Sequence, residues 1–264
     1  MSAATRSSSM TQGKMLKPII MFALPILLSN FLQQMYNTLD TIVVGRFVGS
    51  VALAAVGSTG SLINLVIGFF IGLSAGAGVV ISQAYGAKDN ERLHRAVHTG
   101  MAISLASAVV IGIVGVFFSR TFLGWMGTPD DVIGPATEYL QILFGFAIFM
   151  TIYNMGSGIL RAIGDSKGPL IYLAVCAVLN VVLNLFFVCV LRMGVAGVGW
   201  ATILAQAVSA ALVLIRLMKT TEAYRLDLRS IRFHKDVLLE IIRIGIPAGI
   251  QSMVVALSNV IIQS

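Results

Sequence analysis

Long apolar stretches that recur along the chain constrain its fold more than any other feature. Each is long enough to cross a bilayer, because about 20 helical residues span about 30 Å of hydrocarbon. The stretches are too long for barrel strands and do not alternate apolar with polar residues. The sequence therefore predicts an all-α, polytopic bundle of transmembrane helices. The six predicted spans are Ile19–Val44, Leu53–Ile81, Val97–Phe118, Ala136–Ile163, Leu170–Leu191 and Val195–Leu217, and a seventh begins near Ile241.

Composition supports lipid as the main solvent of this chain. Hydrophobic residues make up 57% of the sequence and charged residues 11%, which is more apolar surface than a soluble fold of this length buries. The net charge of +7 would also fit a nucleic-acid-binding protein. However, the basic residues are spread through the loops without interleaved aromatic residues, so we expect no nucleic-acid partner.

Polar segments divide the chain into four parts. Residues 1–14 lack the apolar core of a secretory signal and predict a disordered tail. Residues 15–218 hold the six spans as one lobe. Residues 219–240 are polar with a basic excess, which predicts a cytoplasmic linker carrying an amphipathic surface helix. Residues 241–264 predict the truncated start of a second lobe that is missing here, since internal duplication is common in transporters.

The placement of Lys and Arg predicts the orientation in the membrane. Three of the 18 basic residues, Arg46, Arg120 and Arg192, follow the odd-numbered spans, and the other 15 lie in the tail, the remaining loops and the linker. Cytoplasmic segments carry the excess of Lys and Arg in membrane proteins. We therefore expect a multi-pass membrane protein with a cytoplasmic N-terminus.

Asp40 stands out because it lies inside a predicted span, whereas nearly all other acidic residues lie in loops or at helix ends. A charged carboxylate facing lipid is costly, so Asp40 is expected to face protein or water. Alternatively, it is an ordinary charge at the headgroup boundary, since Arg46 is six residues further on. Its helix carries one polar stripe, formed by Asn30, Gln33, Asn37 and Asp40, with Gln34 and Thr41 at its margin.

Three neutral polar residues are expected at the same depth as Asp40. Asn180 and Asn184 share a helix face at four-residue spacing, and Thr202 begins a similar series on the next span. With Asp40 they supply one carboxylate and several neutral oxygens, which suits a proton or a sodium ion. The alternative is ordinary hydrogen bonding between helices, which Asn and Thr commonly provide in membrane bundles.

Other patterns give no support to catalysis or to a bound cofactor. Gly72, Gly76 and Gly78 resemble a nucleotide loop only superficially, because no strand precedes them, and close helix packing explains them better. His94 and His98 have the spacing of a metal pair, but no third ligand is nearby, which favours a solvated surface. No serine or cysteine nucleophile lies in a recognisable motif.

The two cysteines, Cys176 and Cys189, fall in one predicted span. Along a single helix they cannot form a disulfide. We interpret both as packing residues. Beyond a possible sodium ion at the Asp40 position, the sequence predicts neither a metal nor a cofactor.

Several segments resemble bacterial exporters of the multidrug and toxic compound extrusion (MATE) family. Gln33-Gln34-Met35-Tyr36-Asn37-Thr38-Leu39-Asp40, followed by Val44-Gly45-Arg46-Phe47, looks like the first helix of that family. The segments 158–167 and 194–197 resemble its connections between the fourth and fifth and between the fifth and sixth helices. The resemblance implies a twelve-helix transporter with two six-helix lobes, of which this chain is the first.

The resemblance also assigns roles to individual residues. Asp40, Asn180 and Thr202 match the cation-site residues of the first lobe, whereas Asn184 departs from the aspartate that many relatives have there. It implies a central cavity for drug-like substrates, expected here to be lined by Tyr36, Tyr153 and several polar side chains. The expected polar lining is Asn30, Gln33, Gln34, Asn37, Asn154 and Gln206.

On this resemblance the chain is expected to be a secondary antiporter of the bacterial cytoplasmic (inner) membrane that exports amphipathic or cationic compounds in exchange for inward protons or sodium. A lipid-linked saccharide flippase of the same wider superfamily is an alternative, but it would more typically place cationic residues inside the cavity. A membrane-embedded enzyme is a third class. It would need clustered acids or histidines at one depth, and of these Asp40 alone qualifies in the sequence.

Overall fold

Helices account for nearly all of the described chain. A computed structural model describes residues 16–263, with side chains from 19 to 255, so the predicted tail at 1–14 lies outside the described residues. Residues 16–263 contain no β-strand, which confirms the all-α prediction. The α-helices are α1 (Leu16–Phe47), α2 (Ser50–Gly86), α3 (Asn90–Trp125), α4 (Asp130–Gly145), α5 (Ala147–Ala162), α6 (Lys167–Leu185), α7 (Gly194–Lys219) and α8 (Lys235–Gln263).

Six of these helices, α1, α2, α3, α6, α7 and α8, are each long and apolar enough to cross a membrane. The sequence predicted one continuous helix for the fourth span, Ala136–Ile163, but the structure has two helices there. These are α4 and α5, which meet at Phe146 with a bend of 51°. Gly145, a weak helix former, directly precedes the break. Apolar length predicts that a segment can span the bilayer, but it carries no information about a change of direction.

The contact between α2 and α8 is the most extensive helix–helix contact of the described residues. Glycine makes it possible. A Cβ placed on Gly76 would lie 2.6 Å from the Cα of Gly245, and one placed on Gly72 would clash with the backbone of Gly249. Small residues allow such close approach between membrane helices. The prediction that these glycines serve helix packing is therefore confirmed for Gly72 and Gly76.

The segment between α7 and α8 lacks the predicted amphipathic α-helix. Among residues 220–234 it has one turn of 3₁₀-helix, Leu228–Ser230, and α8 begins at Lys235. Side chains of α3 hold the segment in place instead. His98, which is fully buried, accepts a hydrogen bond at Nε2 from the backbone N–H of Asp227 at 3.0 Å and donates from Nδ1 to the His94 carbonyl at 2.7 Å. The prediction of a solvated His98 is therefore wrong.

Further contacts of the linker involve His234 at its end. The His234 backbone N–H donates to the Thr99 hydroxyl at 3.2 Å. The same hydroxyl lies 3.1 Å from Nδ1 of the His234 ring. Arg232 donates through Nε to His234 Nε2 at 3.0 Å. Partial burial and the nearby Arg232 charge lower the pKa of His234. This geometry requires the neutral imidazole, because Nε2 must keep its lone pair to accept from Arg232.

Two ion pairs join the start of α3 to the start of α8. Arg92 lies 2.7 Å from Glu240, and Arg95 lies 2.9 Å from Asp236. These pairs are partly exposed, so each contributes modestly to stability. Their position nevertheless ties the helix beyond the linker to the six-span lobe at the end of the bundle that holds most basic residues.

Candidate functional site

Four polar residues from three helices meet in the half of the bundle where α1 ends. α1 contributes Asp40, α6 contributes Asn180 and Asn184, and α7 contributes Thr202. Asp40 is 8% exposed, and both asparagines are fully buried. The structure thus brings together the four residues that the sequence placed at one depth, and Asp40 faces protein rather than lipid. We call this group, together with Tyr36, the Asp40 site.

A chain of hydrogen bonds joins the members of the Asp40 site. Asn184 donates through Nδ2 to Asp40 Oδ1 at 2.5 Å and to Asn180 Oδ1 at 2.9 Å. Asn180 donates in turn to the Thr202 hydroxyl at 3.3 Å and the Tyr36 hydroxyl at 3.4 Å. The Thr202 hydroxyl itself donates a hydrogen bond to the backbone carbonyl of Val198 at 2.9 Å. The amide donors and the Thr202 hydroxyl therefore have defined acceptors, and the network fixes the orientation of both asparagines.

One oxygen of the site is left over. Both amide hydrogens of Asn184 are used, whereas its Oδ1, which as an amide oxygen can only accept, is buried without a hydrogen-bond partner among the described residues. A buried amide oxygen normally has a partner, so this oxygen offers a position at which a water or an ion can bind. Next to the Asp40 carboxylate, a free carbonyl oxygen favours a cation over an anion. The group can therefore bind a proton on the carboxylate or a hard monovalent cation between oxygens.

The turn between α6 and α7 brings Thr202 opposite Asn180. Immediately after Asn184, α6 passes into a π-helix, Phe186–Val190, and the chain then reverses through Arg192 and Gly194, both with positive φ. Glycine adopts this conformation readily, whereas a residue with a side chain adopts it less often. π-helical turns occur frequently at functional sites. The reversal makes α7 return antiparallel beside α6.

A cavity of about 440 Å³ lies beyond the Asp40 site, at the ends of α1 and the π-helix. Cys189 lines it and is exposed, whereas Cys176 is buried. The interpretation of both cysteines as packing residues is therefore correct for Cys176 and wrong for Cys189. The π-helical turn explains the difference, because it shifts the direction in which residues after Asn184 point. The cavity is lined by Phe47, Val48, Val188, Cys189, Arg192 and Gly194.

The other residues expected to line a substrate cavity do not converge on one point in this lobe. Asn30, Gln34 and Asn37 are exposed along α1, whereas Gln33 and Gln206 are half-buried. Tyr153 donates to the carbonyl of Pro169 at 3.2 Å. Asn154 donates through Nδ2 to the carbonyl of Met150 at 2.9 Å. The polar stripe of α1 therefore has one buried end, at Asp40, and an exposed middle.

Tyr139 was not singled out in the sequence. It is buried on α4, packs with Val44 and Val188, and lies close enough to Asp40 for an electrostatic interaction. Its aromatic ring fits an apolar run, so sequence periodicity gives no sign that it approaches the site. The neighbouring Glu138 is the more conspicuous polar residue, yet it is exposed.

Comparisons with known proteins identify the family. The MatE family model matches residues 25–186. The probable multidrug resistance protein YpnP of Bacillus subtilis (strain 168) is 34% identical over 245 residues, which are 93% of this chain and 55% of that protein. The multidrug export protein MepA of Staphylococcus aureus (strain bovine RF122 / ET3-1) is 23% identical over 246 residues, which cover 93% of this chain and 54% of that protein.

Solved structures agree with the sequence comparison. A structure described as MATE in the bent conformation has a TM-score of 0.84 and 28% identity, over 90% of this chain and 53% of the other. An inward-facing multidrug resistance MATE family transporter has a TM-score of 0.79 and 28% identity, over 85% of this chain and 51% of the other. The chain thus spans about half the length of the relatives it matches. It belongs to the MatE family of multidrug and toxic compound extrusion transporters.

Proposed function

We propose that this chain forms the first lobe of a cation-coupled antiporter, which exports amphipathic or cationic compounds in exchange for a proton or a sodium ion. The transporter lies in the bacterial cytoplasmic membrane with the N-terminus in the cytoplasm, an orientation supported by the distribution of Lys and Arg. The names of the relatives, which describe multidrug resistance and export, support the substrate class. They also support transport rather than an enzymatic reaction.

The observation that carries the proposal is the Asp40 carboxylate beside the unpartnered Oδ1 of Asn184. A buried carboxylate in a membrane helix is stable when it is protonated or neutralised by a cation. Binding and release of that cation therefore change the charge of the lobe interior. A conformational equilibrium shifts by the difference in cation affinity between its two states, so an Asp40 site whose affinity changes with conformation can drive transport.

The exposed polar side chains of α1 support a second lobe. Asn30, Gln34 and Asn37 are exposed on α1, as are large apolar residues of the same helix such as Leu27 and Phe31. In a two-lobed transporter this mixed surface faces the central cleft, where polar groups are solvated and apolar groups contact the drug. Secondary transporters commonly place the substrate between two such repeats.

The test is Asp40→Asn in the full-length transporter, reconstituted in vesicles with an imposed proton or sodium gradient. Asparagine retains the size of the side chain but removes the charge, so we expect gradient-driven export to be lost. Drug binding in the absence of a gradient should remain, because the substitution keeps the hydrogen bond to Asn184 sterically possible.

Asp131→Asn is the matched control, since Asp131 is exposed in the first turn of α4. It should transport at the parental rate. Export by Asp40→Asn at the parental rate under either gradient would show that coupling does not depend on this carboxylate, and the proposed role of the Asp40 site would be abandoned.

A further inference from the structure

The helices of the Asp40 site keep the same register for another turn inward. Asp40 contacts Asn184, and four residues earlier on both helices Tyr36 contacts Asn180. α1 and α6 therefore run in parallel with equal steps. One further turn along both helices leads to Leu32 and the adjacent Gln33 on α1 and to Cys176 on α6.

The contacts between the antiparallel helices α6 and α7 place a residue of α7 at the same depth as Cys176. Thr202 contacts Asn180, and Ser209 donates to the carbonyl of Tyr172 at 2.9 Å. Between these two contacts, Cys176 occupies the intermediate turn of α6 and Gln206 that of α7. We call Gln33, Cys176 and Gln206 the inner layer, which lies about 12 Å inward of Asp40 at 1.5 Å per residue.

Gln206, in the inner layer, carries a second unpartnered oxygen. Its Oε1 is buried and has no hydrogen-bond partner among the described residues, as is true of Asn184 Oδ1. Asn184 Oδ1 lies at the Asp40 end of the hydrogen-bonded network, whereas Gln206 lies one turn of α7 inward of Thr202. The asparagine and threonine groups between these two oxygens are paired. A buried acceptor without a partner in the protein offers a position at which a water or an ion can bind. The Asp40 site and the inner layer thus each offer one position for such an occupant, the first beside a carboxylate and the second beside neutral groups.

We propose that Gln206 Oε1 binds sodium at a second, inner position on the path between the Asp40 site and the central cleft. This inference rests on the proposed coupling role of Asp40. Sodium is a hard cation that prefers oxygen ligands, and a carboxamide oxygen with water supplies them. Because the inner layer has no carboxylate, it holds the ion more weakly than Asp40 does. Weak binding at successive positions is what permits an ion to enter and leave along a path.

Cys176 provides a reporter inside the inner layer, and Cys189 provides a reference outside it. In the intact transporter, the rate at which a small membrane-permeant thiol reagent modifies each cysteine is measured by peptide mass spectrometry. We expect sodium to slow modification of Cys176 several-fold relative to an equal concentration of choline, with no change at Cys189. Gln206→Leu should remove this protection. Equal Cys176 rates in sodium and choline would overturn the inner position, even if no variant could be produced.

The sodium dependence of transport gives a second test. Gln206→Leu removes one oxygen ligand, so we expect the sodium concentration for half-maximal export to rise about tenfold. Gln206→Glu adds a charge and should lower it. Gln83→Leu is the matched control, since Gln83 is exposed near the end of α2 and should behave like the parent.

The outcomes separate this inference from the proposed function. If Asp40→Asn abolishes export while Gln206→Leu leaves the sodium dependence unchanged, the inner position is wrong and the coupling role of Asp40 stands. If export depends on protons and is indifferent to sodium, the inner sodium position is likewise wrong. If Asp40→Asn transports normally, the proposed function itself fails.

Discussion

The close contact between α2 and α8 leads to a sharp prediction for Gly76→Ala. The added Cβ would lie 2.6 Å from the Cα and N of Gly245 and 2.7 Å from the carbonyl oxygen of Ile241. Ordinary contact needs about 3.4–4 Å, and all three atoms belong to backbone, so the helices must separate by about 1 Å. Overpacking of this kind costs about 1–3 kcal/mol. That energy corresponds to a loss of about 5- to 150-fold in the docked population of α8.

A disulfide across the same contact measures the docking. A Cβ placed on Gly68 would lie 3.6 Å from the Cβ of Ser252, within the range of natural disulfides. The double variant Gly68→Cys/Ser252→Cys should therefore crosslink rapidly under mild oxidant, as quantified by mass spectrometry of the linked peptides. Adding Gly76→Ala should slow this reaction strongly.

Gly57→Ala on the same helix is the control, because a Cβ there has no heavy atom within 4 Å. Each single-cysteine variant controls for pairing with Cys176 or Cys189. If Gly76→Ala and Gly57→Ala crosslink at the same rate, then the glycines do not determine how closely α8 approaches α2.

Three further predictions concern coupling, pH and topology. Asn184→Asp should shift the pH or sodium dependence of export, because a second carboxylate beside Asp40 attracts cations more strongly; unchanged dependence in vesicle transport would contradict this. The lowered pKa of His234 means that the unfolded chain binds more protons, so docking of the linker should weaken as pH falls through the ordinary histidine range near 6.5. Limited trypsin cleavage within residues 220–234 should therefore accelerate below about pH 6.5, and His234→Gln should reduce that acceleration. A cysteine introduced by Asp130→Cys should react with an impermeant reagent outside intact cells, whereas one introduced by Glu91→Cys should not; the reverse pattern would invert the proposed topology.

Much of the fold was predictable because the bilayer fixes the length of each helix. Apolar runs between charges identified each long apolar helix among residues 16–263, whereas the break at Phe146 was not predicted. The break depends on how α4 and α5 pack against their neighbours. The apolar length of a segment does not indicate whether its helix bends. The linker failed for a related reason. Its alternating charges were consistent with a surface helix, but His98 and Thr99 on α3 offer its backbone other hydrogen-bond partners.

The Asp40 site was predictable in part, because residue number along a span sets depth in the membrane. Counting turns from the loops predicted to be external placed Asp40, Asn180, Asn184 and Thr202 at one level, and their contacts follow from that register. Depth does not give the rotation of a helix, so the sequence did not separate the buried Asp40 from the exposed Asn37 on the same stripe. Tyr139 was missed because it belongs to an apolar run. Their roles in coupling stay predictions.

The glycine contact between α2 and α8 also has a consequence for synthesis of the chain. Gly76 emerges from the ribosome about 170 residues before Gly245, which corresponds to about 10–30 s at about 5–20 residues per second. During that interval, the glycine face of α2 has no α8 to cover it. Its backbone is already satisfied within the helix, so lipid can cover the face without a hydrogen-bond penalty. When α8 arrives, it must displace lipid chains from this face before the two backbones can approach as closely as Gly76 and Gly245 do.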